Sequence, residues 1–376
     1  NEIMYHHRPQ FEGEIENQPF LRNPQEWIEL YKRSDATVDL GGWSFNGGLS
    51  YEFPEGSTIP AGGYLVVSNE AEALQALYPA IAILGDFRGE LHNRSDQVQL
   101  TDAHGNPADQ VTYHDGGNWP TKADAAGSSL ELRHPDSDNS MAGSWSASDE
   151  SLNSEWKEFR YRGKATKPPG TNFPSRWNEF VVGLLDGGEC LIDDMKVVEN
   201  PEGEAKSLLR NGFFNTSIFG GDGSQNWRFL GNHGGHGKTV IVPEAGDAGN
   251  TVLHLVASSA TEHMHNHLET TLSGGHKVSA GTTYEISYRA KWLSGSPQLH
   301  TRLYFNWLAK TTILDLPKLH GTPGAPNSIL VDNVGPAYAD LGSEPAIAKD
   351  GEPIKVHVDA TDPDGFDSLV IKWKLD

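Results

Sequence analysis

Short alternating runs of apolar and polar residues, each cut off by glycine, proline or aspartate, constrain this chain more than any other feature. Residues 26–68, EWIELYKRSDATVDLGGWSFNGGLSYEFPEGSTIPAGGYLVVS, hold four such runs, at 27–31, 38–45, 49–53 and 64–68. In the first, Trp27, Glu29 and Tyr31 fall on one face and Ile28 and Leu30 on the other. A period of two marks a strand with one buried face. The 41 glycines and 22 prolines among 376 residues suit many such strands joined by tight turns, and the length allows two or three domains. One short helix is predicted over 69–78, where Leu74, Leu77 and Tyr78 take helical spacing behind a Ser68/Asn69 cap and Pro79 stops the run. Strands are expected again at 98–101, 110–114 and 128–132, with the polar run 146–155 as a linker.

The net charge is −22, and residues 1–150 carry 24 acidic against 8 basic side chains. Such a surface repels phosphate backbones and shows no basic stripe, so nucleic acid is not an expected partner. No run of about 18 apolar residues offers a membrane span. The chain opens on Asn1 without a charged-then-apolar leader, which reads as a mature or excised segment. Cys190, the one cysteine, reads as a small core residue between Glu189 and Leu191.

The order of elements in the first 150 residues resembles the lamin tail domain, an immunoglobulin-like β-sandwich, in its bacterial surface-protein form. The matching stretches are Asn1-Glu2-Ile3, Trp27-Ile28-Glu29-Leu30-Tyr31, Asp39-Leu40-Gly41-Gly42-Trp43 and Pro60-Ala61-Gly62-Gly63-Tyr64-Leu65-Val66-Val67. The resemblance extends to large planctomycete-type proteins in which this module can accompany a CotH-type kinase-like domain. No glycine-rich loop, strand lysine and metal-binding Asp-x-Gly set can be assembled here, so the kinase-like part is not expected in this chain. Beyond residue 150, Glu179-Phe180-Val181-Val182-Gly183, Glu189-Cys190-Leu191-Ile192-Asp193-Asp194, Asn211-Gly212-Phe213-Phe214 and Tyr284-Glu285-Ile286-Ser287-Tyr288 are similar to parts of carbohydrate-binding jelly rolls. The closing strands come first, which implies one circularly permuted jelly roll, with two modules, the first truncated, as the alternative. Residues 321–327 read as a linker by composition, and 354–373 resemble the opening of an immunoglobulin- or cadherin-like repeat. The expected division is therefore 1–150 lamin tail domain, 151–330 jelly roll, and 331–376 linker with a partial immunoglobulin-like segment, all of it β.

Motifs for catalysis are absent. Gly237-Lys238-Thr239 lacks the leading glycine of a phosphate loop, since residue 232 is Asn, and no Gly-x-Ser-x-Gly elbow surrounds Ser128 or Ser129. The expectation is a non-enzymatic chain. Three binding readings remain. In jelly rolls of the kind resembled, a carboxylate near the last strand joins a structural calcium, which points to Asp193 and Asp194 against a reading as solvated strand residues. Along 299–307, Leu299, Leu303, Phe305 and Trp307 share the core face, leaving His300, Arg302, Tyr304 and Asn306 as a hydrogen-bonding row for a sugar, or simply as a wet outer face. In 262–269, alternation puts His263, His265, His267 and Glu269 together, as zinc, nickel or copper ligands or as ordinary polar strand residues. Function is then expected to be adhesion or binding at the cell surface or in the secreted space, to a glycan, a matrix polymer or other surface proteins. The alternatives are a structural block of an extracellular assembly and an accessory region of an enzyme lying beyond Asp376.

Overall fold

The computed structural model describes residues 1–9, 23–167, 178–216, 226–231, 234–261, 267–303, 306–347, 349, 351–362 and 364–372. It is all-β apart from one helix and three single 3-10 turns. The chain divides into two compact units, Asn1–Asp149 with Leu319–Asp376, and Glu150–Lys318.

In the first unit one sheet runs, in spatial order, Trp145–Ala147, Leu130–Leu132, Glu2–Met4, Trp27–Tyr31, Tyr64–Ser68 and Ile83–Gly85. All neighbours in it are antiparallel except the last pair. The facing sheet runs Pro107–His114, Ser95–Thr101, Ser44–Gly47, Leu49–Glu52 and Arg88–Gly89. Ile3, Ile28, Val67 and Leu130 from the first sheet meet Phe45, Leu49, Val98 and Tyr113 from the second in one core. The alternation read in 27–31 is realised, with Ile28 facing inward. Its other face is buried too. Helix Ala71–Leu77 lays Leu74 against Met4, Trp27 and Val66 on the outside of the sheet. The expected Ser68 cap takes a different form: Ser68 Oγ accepts from the Glu70 amide at 3.1 Å, while Asp86 Oδ1 accepts from the Ala71 amide at 2.8 Å. Residues 38–45 form two strands, Val38–Asp39 and Ser44–Gly47, because Leu40–Trp43 closes a turn between them.

The rest of that outer face is covered by residues 319–331, of which 321–327 read from composition as a linker. They lie instead on the first unit and strap down a row of glutamates. Glu131, Glu2 and Glu29 are direct cross-strand partners, and all three are fully buried. The strap brings donors to each. The Thr322 amide donates to Glu2 at 3.0 Å, Thr322 Oγ1 to Glu131 at 2.8 Å, the Gly324 amide to Glu29, and Ser328 Oγ to Glu131 at 2.8 Å. Asn327 Nδ2 reaches the Leu132 carbonyl at 2.7 Å, and Tyr78 holds the His320 backbone through both its N–H and its C=O. Gly321 and Gly324 have positive φ (+70° and +81°), and a Cβ on them would stand 2.1 Å from Glu2 Oε1 and 2.2 Å from Ile81 Cγ2. Only glycine fits either place. The residues expected to open an immunoglobulin-like repeat form one hairpin, Ala337–Glu344 with Lys355–Thr361.

The second unit is a sandwich of two wholly antiparallel sheets, an arrangement consistent with a jelly roll. One runs Lys157–Lys164, Thr283–Gly295, Gly188–Glu199, Asp247–Ala257 and Val240–Glu244. The other runs Trp227–Leu230, His267–Thr271, Glu179–Leu184, Gln298–Leu303 and Leu308–Ile313. Residues 191–197 pair with 284–290 inside one sheet, with Ile192 opposite Ala290 and Val197 opposite Ile286, as the permuted arrangement requires. Phe180, Val182, Leu268, Leu299 and Leu303 pack against Cys190, Ile192, Leu253, Ile286 and Trp292 between the sheets. Burial raises the Cys190 thiol well above its ordinary pKa, and Glu189 adds to this, so the cysteine is an inert core residue.

Candidate functional site

The two outer faces of the second unit collect its unusual polar side chains. On the sheet centred on Glu179–Leu184, alternation turns Phe180, Val182 and Leu184 inward and Glu179, Val181 and Gly183 outward. Val181 lies between Glu269 and Arg302, and Gly183 lies beside His300. The described polar residues of the two stretches singled out in the sequence, His267 and Glu269 from one and His300 and Arg302 from the other, therefore share one face.

That face is neither open nor wet. Arg302 and His267 are 3% exposed and His236 is 1% exposed. His236 comes from the loop before Val240–Glu244 and lies over Gly183, where its Nε2 accepts the Leu184 amide at 3.1 Å. With Nε2 accepting, the proton of the neutral ring sits on Nδ1, which finds no partner among the described residues. Burial, with His267 next to it, pushes His236 down to about 4 and keeps it neutral. His300 is also lowered, by burial first and then by Arg302 and His267. At the other end Arg228 bridges Glu269 and Glu179, the latter at 3.3 Å. Burial lowers Arg302 below an ordinary guanidinium even with Glu269 and Glu179 close by. The result is a packed polar layer.

Gly183 makes room for it: a Cβ there would lie 3.1 Å from His236 Nε2 and 3.2 Å from His267 Cβ. Gly183→Val should cost about 1–3 kcal/mol in denaturant melts. Much of that cost should vanish in a His236→Ala background, and a cost unchanged by His236→Ala would show that the imidazole is not what the glycine accommodates.

Several expectations need correcting here. Arg302 lies off the apolar core as predicted but is buried among carboxylates, so it is no exposed sugar contact. Asn306 is not on the strand at all, because Gln298–Leu303 ends first and Asn306 sits at φ +64° in the turn before Leu308. Tyr304, His263 and His265 lie outside the described residues. His254 belongs to the other sheet and contacts Glu189 at 2.8 Å, so it is not available to His267. Among the described residues no group of three or more His, Cys, Asp or Glu side chains is arranged to hold a metal.

The opposite face carries Asp193 and Asp194, read as calcium ligands. A guanidinium fills their centre instead. Arg289 Nη2 donates to Asp193 at 2.6 Å and to Glu244 at 2.7 Å, Nη1 donates to Glu244 at 2.8 Å, and Nε lies 3.2 Å from Asp194. The hydrogen bonds that Arg289 donates to Glu244 chiefly hold the guanidinium charged, and Arg289 in turn lowers the Glu244 carboxyl. Over this guanidinium, 4.3 Å from its carbon, lies the ring of Trp156. Trp156, Arg160, Asp194, Lys196, Ser287 and Arg289 are among the residues lining an open cleft of about 300 Å³. It was not legible in the sequence, because Trp156 lies just past the run 146–155 read as a linker and 133 positions from Arg289.

Comparison with known families matches residues 1–115 to the Lamin Tail Domain. The match ends with the strand Pro107–His114, whereas the first sandwich also takes in Leu130–Leu132, Trp145–Ala147 and the strap. No curated protein matches the chain.

Proposed function

We propose that this is a non-enzymatic binding region of a secreted or cell-surface protein, in which the second unit holds a glycan or matrix polymer and the lamin-tail-like unit supplies an attachment scaffold. The observation that carries this reading is the Trp156 cleft. A sugar ring needs a flat apolar surface for its C–H bonds and fixed polar groups for its hydroxyls. Trp156 offers the first, and Ser287, Arg160 and Lys196 the second, on a rigid sheet whose far side is close-packed core. Retention of the whole chain on immobilised polysaccharides and on a glycan array tests the reading. Trp156→Ala should weaken binding about tenfold, as loss of one stacking contact does, with little change in melting. Binding that ignores Trp156→Ala would move the site elsewhere on the molecule.

A second reading, a building block of an extracellular assembly, draws on the hairpin Ala337–Glu344 with Lys355–Thr361 and the residues around it. Leu341 is 77% exposed, Ile347 90% and Val370 70%, an unusual density of apolar side chains in water. A chain silent on every glycan but self-associating through this segment would favour the assembly reading.

A further inference from the structure

The cleft is defined by two rows that cross three adjacent strands. In one, Arg160 pairs with Ser287 and Ser287 with Lys196. In the other, Glu158 pairs with Arg289 and Arg289 with Asp193. The second row is neutralised internally, since Arg289 is engaged by Asp193, Asp194 and Glu244. In the first row Arg160 is held by Glu158 and Glu285. Lys196 is different. Its ammonium pairs with no carboxylate among the described residues and rests 5.3 Å from the ring centre of Phe213, itself 47% exposed. Of the four cations in the lining, Lys157 pairs with Glu155 and Asp315, and Arg160 and Arg289 with the carboxylates just named, which leaves Lys196 as the one without a carboxylate partner among the described residues. On a chain with a net charge of −22, an uncompensated lysine beside an aromatic in a cleft is an exception that calls for a partner.

Resting on the glycan reading of this cleft, we propose that its ligand is a saccharide bearing an isolated carboxylate, an acidic sugar within an otherwise neutral glycan. The carboxylate sits between Lys196 Nζ and Ser287 Oγ while a neighbouring ring lies along Trp156. Lys196 and Ser287 are directly paired on neighbouring strands, so both side chains rise from one face and can converge on the two oxygens of one carboxylate. The rest of the protein decides the charge density. At physiological salt the field of the surrounding acids reaches about 8 Å, so a single charge sheltered in the cleft meets Lys196, whereas a dense polyanion also meets the repelling surface.

The experiment compares retention of the whole chain on native glucuronoxylan, on the same polymer with its carboxylates reduced to alcohols, and on polygalacturonate. Native glucuronoxylan should bind at least about tenfold more tightly than the reduced polymer, and Lys196→Gln should bring the two to within about twofold of each other. Polygalacturonate should bind more weakly than glucuronoxylan and recover as salt is raised to about 0.3 M, where the surface field is screened. Equal binding of native and reduced polymer would overturn the carboxylate and leave the glycan reading standing. Tighter binding of polygalacturonate at low salt would overturn the preference for isolated charge. No binding to any of the three, with Trp156 intact, would overturn both.

Discussion

A fragment of residues 201–318 will aggregate, whereas one of residues 150–318 will melt as a single cooperative unit. The difference lies in where the missing strands sit. Gly188–Glu199 is interior to one sheet, between Thr283–Gly295 and Asp247–Ala257. Glu179–Leu184 is interior to the other, between His267–Thr271 and Gln298–Leu303. Removing 150–200 therefore splits both sheets at once and leaves four facing edges without partners, each a template for intermolecular pairing. It also strips Phe180, Val182, Leu184, Cys190, Ile192, Met195 and Val197 from the core, all at most 1% exposed. At about 1.5–3 kcal/mol for burying each large apolar side chain, the loss is on the order of 10 kcal/mol. That is comparable to the whole stability of an ordinary domain. Circular dichroism melts and size-exclusion profiles of the two fragments check it. A soluble, cooperatively melting 201–318 would mean that these strands are dispensable and the permuted sandwich is wrongly drawn.

That pairing was legible in advance because each strand carried its own alternation and neither closed a core without the other. Period-two reasoning works for Ile28, Val67 and Leu130, whose inward direction depends only on local pleat. It fails wherever the polar face is covered from a distance. Glu2, Glu29 and Glu131 alternate with core residues, and nothing in their own strands announces the strap about 190 to 320 positions further on that seals them. Arg302 and His267 fail in the same way: both are buried on the outer face, His267 beside His236 from another loop and Arg302 near Glu269 and Glu179. Asn306 fails for a local reason: extending the alternation past Leu303 ignores the left-handed turn that Asn306 makes. The linker reading of 321–327 was correct about composition and wrong about consequence. Its glycines serve close approach to Glu2 and Ile81, not flexibility.

The strapped glutamates make the first unit's stability depend on pH in a direction opposite to that of an ordinary ion-paired carboxylate. Burial raises Glu2 well above the usual range, with Glu131 and Glu29 adding to it, and raises Glu29 to about 7. The partners of Glu2 and Glu29 in the row are the Asn1, Ser129, Thr322 and Gly324 donors, and Thr322 and Ser328 also donate to Glu131. A carboxyl whose folded pKa is raised binds more protons folded than unfolded. Its contribution is complete below the unfolded value near 4.5 and is lost as pH climbs through about 7. For Glu29 the loss over that window is on the order of 3 kcal/mol. His7 works the other way, since burial holds it down to about 3, so the unit also loses stability as pH falls below about 6.5. The two effects overlap, and the overall curve alone cannot separate them. Glu29→Gln separates them, because it removes one titration and leaves His7, His320, Tyr78 and Arg133 around the strap unchanged. At about pH 5 the variant should be the less stable protein, because glutamine keeps one oxygen acceptor where Glu29 uses two, one for Asn1 Nδ2 and one for the Gly324 amide. By about pH 8 the order should reverse, as the wild type holds buried negative charge that glutamine lacks. Urea unfolding across that range, with hydrogen exchange at the Gly324 and Ile329 amides reporting on the strap itself, gives the crossing point. Two stability curves that stay parallel from pH 5 to pH 8 would mean that Glu29 titrates normally and that the strap does not hold its carboxyl in a desolvated row.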